Sequence, residues 1–184
     1  MKILKKATQN LSKKSLLKIL TFLFLSFSVF PDNSFAFDRN SYSPSEIDET
    51  VLSSGKSILA HISTPLKAKI RQPASYKYKF SVFYGGKIRP ISKNNLEGLQ
   101  FFEKTYPSLN PKLTEISKQE ILIKSAKGKE YWLPIQDVLI DPLKSEIKSG
   151  EIFNIYVLNP YNAVNQDGTA FSVFLIGEFD KFIK

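Results

Sequence analysis

The stretch Tyr76–Tyr84, which reads YKYKFSVFY, decides the fold class of this 184-residue chain. Aromatic or aliphatic residues occupy almost every second position, and Lys77 and Lys79 fall between them. Because successive side chains of a strand point to opposite faces of a sheet, this alternation predicts a strand with one apolar face and one face that carries lysines. Gly85-Gly86 follows directly, which predicts a hairpin turn and a return strand over Lys87–Ile91.

The C-terminal half of the chain predicts further strands. Glu120–Ser125 and Glu130–Leu133 flank a polar turn and predict a second hairpin. Glu151–Leu158 is apolar on both faces, which is typical of a central strand. A loop over Asn159–Gly168 then leads into a last strand, Thr169–Gly177. The pattern therefore indicates a sheet that is built mainly from antiparallel strands.

Short helices are predicted between these strands. The first begins at the capping sequence Ser43–Glu46 and ends near Gly55. The second covers Asn94–Tyr106, where apolar residues recur at helical spacing. The third opens at Pro134 and ends at Gly150.

Together these elements predict one α+β domain that consists mainly of antiparallel sheet with two to four short helices. The order of elements in residues 119–179 is also compatible with a small barrel. Such a barrel would be of the oligonucleotide/oligosaccharide-binding (OB) type or SH3-like.

The first 36 residues have the parts of an export signal. Six lysines, at positions 2, 5, 6, 13, 14 and 18, precede the apolar run Ile19–Phe30. A membrane-spanning helix needs about 20 apolar residues, so this run is short for an anchor and suits a signal peptide. Ser34-Phe35-Ala36 places small residues at the −3 and −1 positions of a cleavage site. We therefore expect residues 1–36 to be removed and the mature chain to begin at Phe37; the alternative is an uncleaved signal anchor.

Cleavage changes the charge and the domain organisation. The 26 basic residues fall to 20 and the 17 acidic residues to 16, so that the net charge falls from +9 to +4. Most of the basic character that would suggest a nucleic-acid partner therefore belongs to the signal. We expect residues 37–184 to form a single globular domain in the periplasm or outside the cell. Its segment 37–43 is expected to be loose, and it has no further membrane span.

The chain has no cysteine and one histidine, His61. This composition excludes disulfides, thiolate nucleophiles and metal sites made of cysteines or of several histidines. Asn165–Gly168 resembles part of a calcium loop, but Ala163 and Phe174 stand where that loop needs oxygen ligands. We therefore expect no metal and no cofactor.

Carboxylates offer one catalytic hypothesis. Asp137 and Asp141 would share a face of a continuous helix, and with Glu178 they could serve an envelope hydrolase as acid and base. Pro142 directly follows Asp141, however, which favours a helix cap. His61 has no partner at a catalytic spacing. We therefore expect no catalytic residue.

Four residues are candidates for ligand binding. Lys77 and Lys79 could hold phosphate or sulfate groups while the neighbouring rings stack on bases or sugars. Their position on the face opposite the rings favours an ordinary half-buried strand instead. Trp132 is a candidate ligand platform, although a core position is favoured. Tyr161 is a candidate because it is expected in the loop Asn159–Gly168.

These observations predict an exported protein, periplasmic or secreted, that binds an envelope protein or a surface ligand without catalysis. One alternative is a carboxylate-dependent envelope hydrolase. The other is a small barrel that binds oligonucleotides or other polyanions. Export argues against a nucleic-acid partner, and polyanion binding would weaken steeply with salt.

Overall fold

A computed structural model describes residues 38–60 and 69–182 of the chain. The predicted export signal, residues 1–36, lies outside the described residues, and so do Phe37 and His61. The described residues belong to one compact unit.

The described residues contain six strands and four α-helices, with short 3-10 turns at Arg39–Ser41 and Asp137–Leu139. In chain order the elements are β1 Ser43–Pro44, α1 Ile47–Leu59, β2 Ile70–Pro90, α2 Lys93–Thr105, α3 Leu113–Ile116, β3 Gln119–Lys124, β4 Glu130–Ile135, α4 Ile140–Glu146, β5 Ile152–Val164 and β6 Ala170–Lys181. The predicted α+β class, with mainly antiparallel sheet and two to four short helices, is confirmed.

Five of the strands close into a barrel. Their order is β2-β3-β4-β6-β5, and β5 pairs again with β2. The seam between β4 and β6 is parallel and rests on the pair Ile135–Ile176, whereas the other four pairings are antiparallel. A five-stranded Greek-key barrel that is barely closed at one seam is the OB architecture, one of the two barrel types that the sequence left open.

The predicted hairpin turn at Gly85-Gly86 is wrong, because β2 runs through both glycines. Residues 70–83 pair with β5, and residues 83–90 pair with β3, with a bulge between Tyr84 and Ile88. At Gly85 a Cβ would lie 2.6 Å from Cγ of Leu122, and Gly86 has a φ of +71°. The glycines thus bend one long strand around the barrel, since a side chain would clash at the first and be strained at the second.

The predicted loop over Asn159–Gly168 is wrong for its first six residues, which continue β5. The chain reverses only at residues 165–169, where the Gly168 N–H donates to the Asn165 carbonyl at 3.0 Å. A bulge between Leu158 and Tyr161 interrupts the pairing with β6. The polar, proline-containing sequence of this bulge resembles a turn, although it lies within a strand.

The boundaries of α1 and α4 differ from those that the sequence predicts. Ser43 lies in β1 and does not cap α1, which starts at Ile47 and continues past Gly55. Pro134 belongs to β4, and α4 starts only at Ile140. Gly150, with a φ of +85°, lies in the turn before β5, after α4 has already ended at Glu146. Helix α2, by contrast, matches the predicted helix within one residue at each end.

The segment 38–43, predicted to be loose, is bound to the outside of the barrel. Arg39 forms ion pairs with Glu178 and Asp180 of β6. The ring of Tyr42 packs edge-on against Tyr156, with ring centroids 5.4 Å apart. The prediction is therefore wrong for these residues, because polar residues of the segment find charged and aromatic partners on the sheet.

Two apolar cores hold the domain together. The barrel interior is filled from all five barrel strands and from α1 and α4, by residues that include Ile47, Phe80, Ile121, Ile135, Leu143, Phe153 and Ile176. A second core fixes α2 and α3 against the outside of β5 and β6, through Leu99, Phe102, Leu113, Tyr161, Ala163, Val173 and Leu175.

Candidate functional site

The two candidate lysines of β2 contact residues of their own chain. Lys77 is exposed, and its Nζ lies 5.5 Å from the ring centroid of Tyr42 and 3.4 Å from Oγ of Ser41. Lys79 is half-buried, and its Nζ lies 5.5 Å from the ring centroid of Tyr156. Both ammonium groups thus have cation–π partners on the outer face of the barrel.

Trp132 is half-buried on the outside of β4. The guanidinium carbon of Arg89 lies 3.8 Å from the centre of its ring, and Nε of Arg89 donates to Glu120 at 2.6 Å. One face of the indole is therefore covered by an arginine that an ion pair holds in place.

Tyr161 is fully buried in the second core and lies in β5, not in a loop. Its ring packs edge-on against Phe101 at 5.4 Å, and Gly98 of α2 approaches it closely. The structure thus places the four candidates in three separate places: Lys77 and Lys79 together on the outer face, Trp132 under Arg89, and Tyr161 in the core.

The three candidate carboxylates also have separate partners. Asp137 accepts a hydrogen bond from the Lys118 N–H at 3.0 Å. Asp141 is almost fully exposed, with Lys144 at 3.9 Å. Glu178 is paired with Arg39. Asp137 thus holds a backbone N–H, while Asp141 and Glu178 lie near cations at the surface, and none of the three lines the clefts described below.

The loop that resembles a calcium site is a turn. Asp167 accepts hydrogen bonds from Thr169, including its N–H at 2.8 Å, and these bonds lower the pKa of the Asp167 carboxyl. Within residues 38–60 and 69–182, no group of three or more acidic or histidine side chains is placed to hold a metal ion.

An open cleft lies between α1 and the first part of β2. It has a volume of about 380 Å³, within the usual range of about 300–1,000 Å³ for small-molecule sites. Its lining is Ser53, Ser54, Ser57, Gln72, Pro73, Ala74, Ser75, Tyr76, Tyr78, Tyr106 and Asn162. None of these residues carries a charge, although 23% of the chain is charged. We call it the serine–tyrosine cleft.

Helix α1 contributes the serine wall of the cleft. Ser53, Ser54 and Ser57 are spaced so that they lie on one side of the helix. Gly55 lies against Ala170 of β6, so closely that a Cβ on the glycine would be 2.4 Å from the alanine Cβ. The glycine therefore allows α1 to pack tightly on the sheet while its serines remain at the surface.

A bulge in β2 forms the opposite wall. Pairing with β5 shifts between Pro73 and Tyr76, so that Ala74 and Ser75 have no partner in the register. Ala74 is buried and Ser75 is exposed, and the ring of Tyr76 is 62% exposed. The bulge thus redirects side chains of the strand into the cleft.

The side-chain amide of Asn162 forms the floor of the cleft. Asn162 is buried and exchanges two hydrogen bonds with Asn159, at 3.0 and 3.2 Å. Asn159 itself donates to the Val173 carbonyl at 2.8 Å. This network fixes the orientation of the Asn162 amide before any ligand arrives.

Tyrosines supply the aromatic part of the lining. Tyr106 follows α2, is 43% exposed and packs on Phe102 with ring centroids 4.6 Å apart. Tyr78 lies 6.2 Å from Tyr76, and its burial raises the pKa of the Tyr78 phenol. That phenol is therefore neutral at physiological pH and can both donate and accept a hydrogen bond.

The lining is suited to binding rather than to proton transfer. Hydroxyl and amide groups donate and accept hydrogen bonds, but a serine needs an adjacent base to become a nucleophile. The residues that the structure places in the lining include no histidine, carboxylate or lysine that could act as this base.

A neighbouring depression shares Tyr106 but has a different chemistry. Its volume is about 400 Å³, and it is lined by Gln100, Glu103, Lys104, Tyr106, Pro107, Leu109 and Lys112. Three charged side chains line it, whereas the serine–tyrosine cleft has none. The depression therefore provides a matched control surface close to the cleft.

Sequence reasoning missed the serine–tyrosine cleft, because its walls come from segments that are distant in sequence. Only the structure brings residues 53–57, 72–78, 106 and 162 together. One signal was present in α1, where Ser53, Ser54 and Ser57 give an uncharged polar side to a helix whose surface would ordinarily carry charges.

No helix within residues 38–60 and 69–182 has the length and apolar character that a membrane span requires. Comparisons of the chain with protein-family models, with curated proteins and with solved structures find no match.

Proposed function

We propose that this chain is an exported, non-catalytic binding protein whose ligand site is the serine–tyrosine cleft. The observation that carries the proposal is a cleft of ligand size whose lining combines hydroxyls, amides and aromatic rings without a charge. The export part rests on the signal pattern of residues 1–36. Its place of action would be the periplasm or the outside of the cell.

Binding is favoured over the two alternatives by where the other candidates lie. A hydrolase would need a carboxylate pair at one site, but Asp137 and Asp141 have separate partners. A polyanion binder would need free cations, but Lys77 and Lys79 contact aromatic rings of the same chain. In the serine–tyrosine cleft, by contrast, Gln72, Ser75 and Tyr76 are exposed.

The test is a binding survey of the mature chain by backbone NMR. Chains beginning at Phe37 are mixed in turn with soluble saccharides, short peptides, nucleotides and lipid head groups. We expect at least one class to shift the amide signals of residues 53–57 and 72–76. In the variant Ser75→Arg, which places a large charged side chain in the cleft at an exposed position, these shifts should be lost.

Lys112→Ala, in the neighbouring depression, is the control variant and should leave the shifts unchanged. The proposal fails if none of the four classes perturbs the cleft signals, or if Ser75→Arg binds as the unaltered chain does.

A further inference from the structure

We infer that the serine–tyrosine cleft takes an uncharged saccharide, an inference that rests on the proposed binding function. The first observation that supports this inference is that none of the described residues in the lining carries a charge. An ionic ligand buried there would lose hydration without gaining a counter-charge, which is unfavourable.

The cations that flank the β2 wall are directed elsewhere. Arg71, directly before Gln72, donates to Glu97 at 2.7 Å and 3.0 Å. Lys77, directly after Tyr76, lies against the Tyr42 ring. The two positive charges nearest in sequence to this wall are thus engaged with their own chain, and the wall between them remains neutral.

The hydrogen-bonding groups match those of a sugar. A sugar hydroxyl both donates and accepts, and so do the hydroxyls of serine and tyrosine and the amides of Gln72 and Asn162. Gln72 and Ser75 are exposed, whereas Asn162 is buried and held by Asn159. The cleft therefore combines accessible groups with one amide whose orientation is already fixed.

Two tyrosine rings can supply the apolar contact that a sugar ring needs. Tyr76 and Tyr106 are 62% and 43% exposed, and they come from different elements, β2 and the end of α2. The exposed part of each ring is available to cover the C–H face of a ligand. The cleft volume, near the lower end of the range for small-molecule sites, suits about one or two sugar rings.

A peptide is the competing neutral ligand, and the β2 wall argues against it. A peptide that adds to a sheet needs a regular strand edge with free N–H and C=O groups. Here the wall is a bulge, and Pro73 directly before it has no N–H. The geometry thus favours a compact ring over an extended chain.

Calorimetry with matched probes tests the inference. Maltose and N,N′-diacetylchitobiose serve as neutral disaccharides, digalacturonate as an anionic counterpart and tetra-alanine as a peptide. We expect one neutral disaccharide to bind more tightly than digalacturonate and tetra-alanine. Its affinity should change little between about 0.05 and 0.5 M salt, because no ion pair is formed.

Variants at Tyr76 locate the contact. Tyr76→Ala should weaken saccharide binding about three- to tenfold, while Tyr76→Phe keeps the ring and should retain most of the affinity. Because the Tyr76 side chain is exposed, neither substitution should unfold the protein, and circular dichroism of both variants checks that they are folded. Lys112→Ala should bind as the unaltered chain does.

The outcomes separate this inference from the proposed function. If tetra-alanine or digalacturonate binds at the cleft and neither disaccharide does, the saccharide inference is overturned while cleft binding stands. If no probe binds the cleft in calorimetry and the NMR survey is also negative, both fail. Equal saccharide affinity in Tyr76→Ala and the unaltered chain would also overturn the inference.

Discussion

Asn95 donates a hydrogen bond to the carboxylate of Glu120 across 2.6 Å, although Glu120 has no exposed surface. The same carboxylate accepts bonds from the N–H and the hydroxyl of Ser92 at 3.1 and 3.0 Å, and from Arg89 at 2.6 Å. Asn95 also donates to the Trp132 carbonyl of β4. One buried charge thus ties the start of α2 to two strands of the barrel.

Removal of the Glu120 carboxylate should be among the most destabilising single changes. Glu120→Leu removes the acceptor of the Ser92 N–H, one of the two acceptors of Asn95 and the ionic partner of Arg89, and should lower the free energy of unfolding by about 3–5 kcal/mol. Glu120→Gln keeps an acceptor oxygen and should lower it by about 1–3 kcal/mol. Urea unfolding measures both.

Glu130→Gln is the control for Glu120. Glu130 pairs with Lys124 at 3.0 Å on the surface, and its loss should change the free energy of unfolding by less than about 1 kcal/mol. A Glu120→Leu variant as stable as the unaltered chain would mean that the hydrogen bonds of the carboxylate do not offset the free energy of burying it.

A second buried carboxylate, Asp48 of α1, should make stability depend on pH. Burial by itself would raise its pKa, but hydrogen bonds from Tyr131 and Ser125 and the nearby charges of Lys129 and Lys127 outweigh this effect. The pKa of Asp48 is therefore lowered. A carboxyl with a lowered pKa stabilises the fold fully above the ordinary value of about 4, and this contribution disappears as the pH falls through the lowered value.

We therefore expect Asp48→Asn to be less stable than the unaltered chain at pH 7, and the difference to shrink below about pH 4. Tyr131→Phe should cost about 1–3 kcal/mol at neutral pH, because it removes a hydrogen bond to a charged group. Urea unfolding at a series of pH values gives these differences. The free energy of unfolding of Asp48→Asn could instead differ from that of the unaltered chain by the same amount at every pH down to 2. That result would contradict the lowered pKa of Asp48.

The N-terminal segment should be held mainly by Tyr42. Burial raises the pKa of its phenol to about 12, which agrees with a ring packed against the sheet. Tyr42→Ala should therefore cost about 1–3 kcal/mol, from lost apolar burial and the lost contact with Tyr156. Arg39→Ala removes partly exposed ion pairs with Glu178 and Asp180 and a contact with the Tyr156 ring, and should cost about 1 kcal/mol or less.

Thermal unfolding and limited proteolysis of the segment 38–44 measure the effect of the Tyr42 change. Tyr76→Ala is the control, since that ring is 62% exposed and should contribute little to folding. If Arg39→Ala releases the segment to protease and Tyr42→Ala does not, charge and not aromatic packing holds it.

Close approach of α2 to the sheet gives another prediction. A Cβ at Gly98 would lie 2.5 Å from Cγ2 of Val173 and 2.9 Å from a ring carbon of Tyr161. Gly98→Ala should therefore lower the free energy of unfolding by about 1–3 kcal/mol, although alanine favours a helix by about 1 kcal/mol. Asn94→Ala, exposed on the same helix, should stay within about 0.5 kcal/mol in the same urea titration.

Much of the fold follows from local pattern. The β3–β4 hairpin and helix α2 obey the periods of a strand and a helix, because each buries one face against the core. Two of the places where prediction fails are bends within strands, at Gly85-Gly86 and at Asn159-Pro160. Gly85-Gly86 has the composition of a turn, but the bend that closes a barrel needs the same glycines, and only the pairing partners distinguish the two.

The candidate site was less predictable than the fold. Tyr161 follows an Asn-Pro pair and resembles a loop residue, yet the amide network of Asn159 satisfies the bulge and keeps the strand continuous. Lys77 and Lys79 resemble ligand contacts in the sequence, but in the structure their ammonium groups lie against the rings of Tyr42 and Tyr156. Sequence periodicity reports which face a residue occupies, but it does not report which distant segment covers that face.

Processing of the N-terminus can be tested independently of the fold. The signal pattern predicts that the full chain, expressed in a Gram-negative bacterium, yields a periplasmic product whose intact mass begins at Phe37. Ala36→Leu places a large side chain at the −1 position, where the peptidase requires a small one, and should leave the uncleaved precursor at the membrane. Asn33→Ala, at a position outside the −1 and −3 pair, should be processed normally. A full-length product in the cytoplasm would contradict export, whereas a full-length product at the membrane in the unaltered chain would identify the apolar run Ile19–Phe30 as an uncleaved anchor.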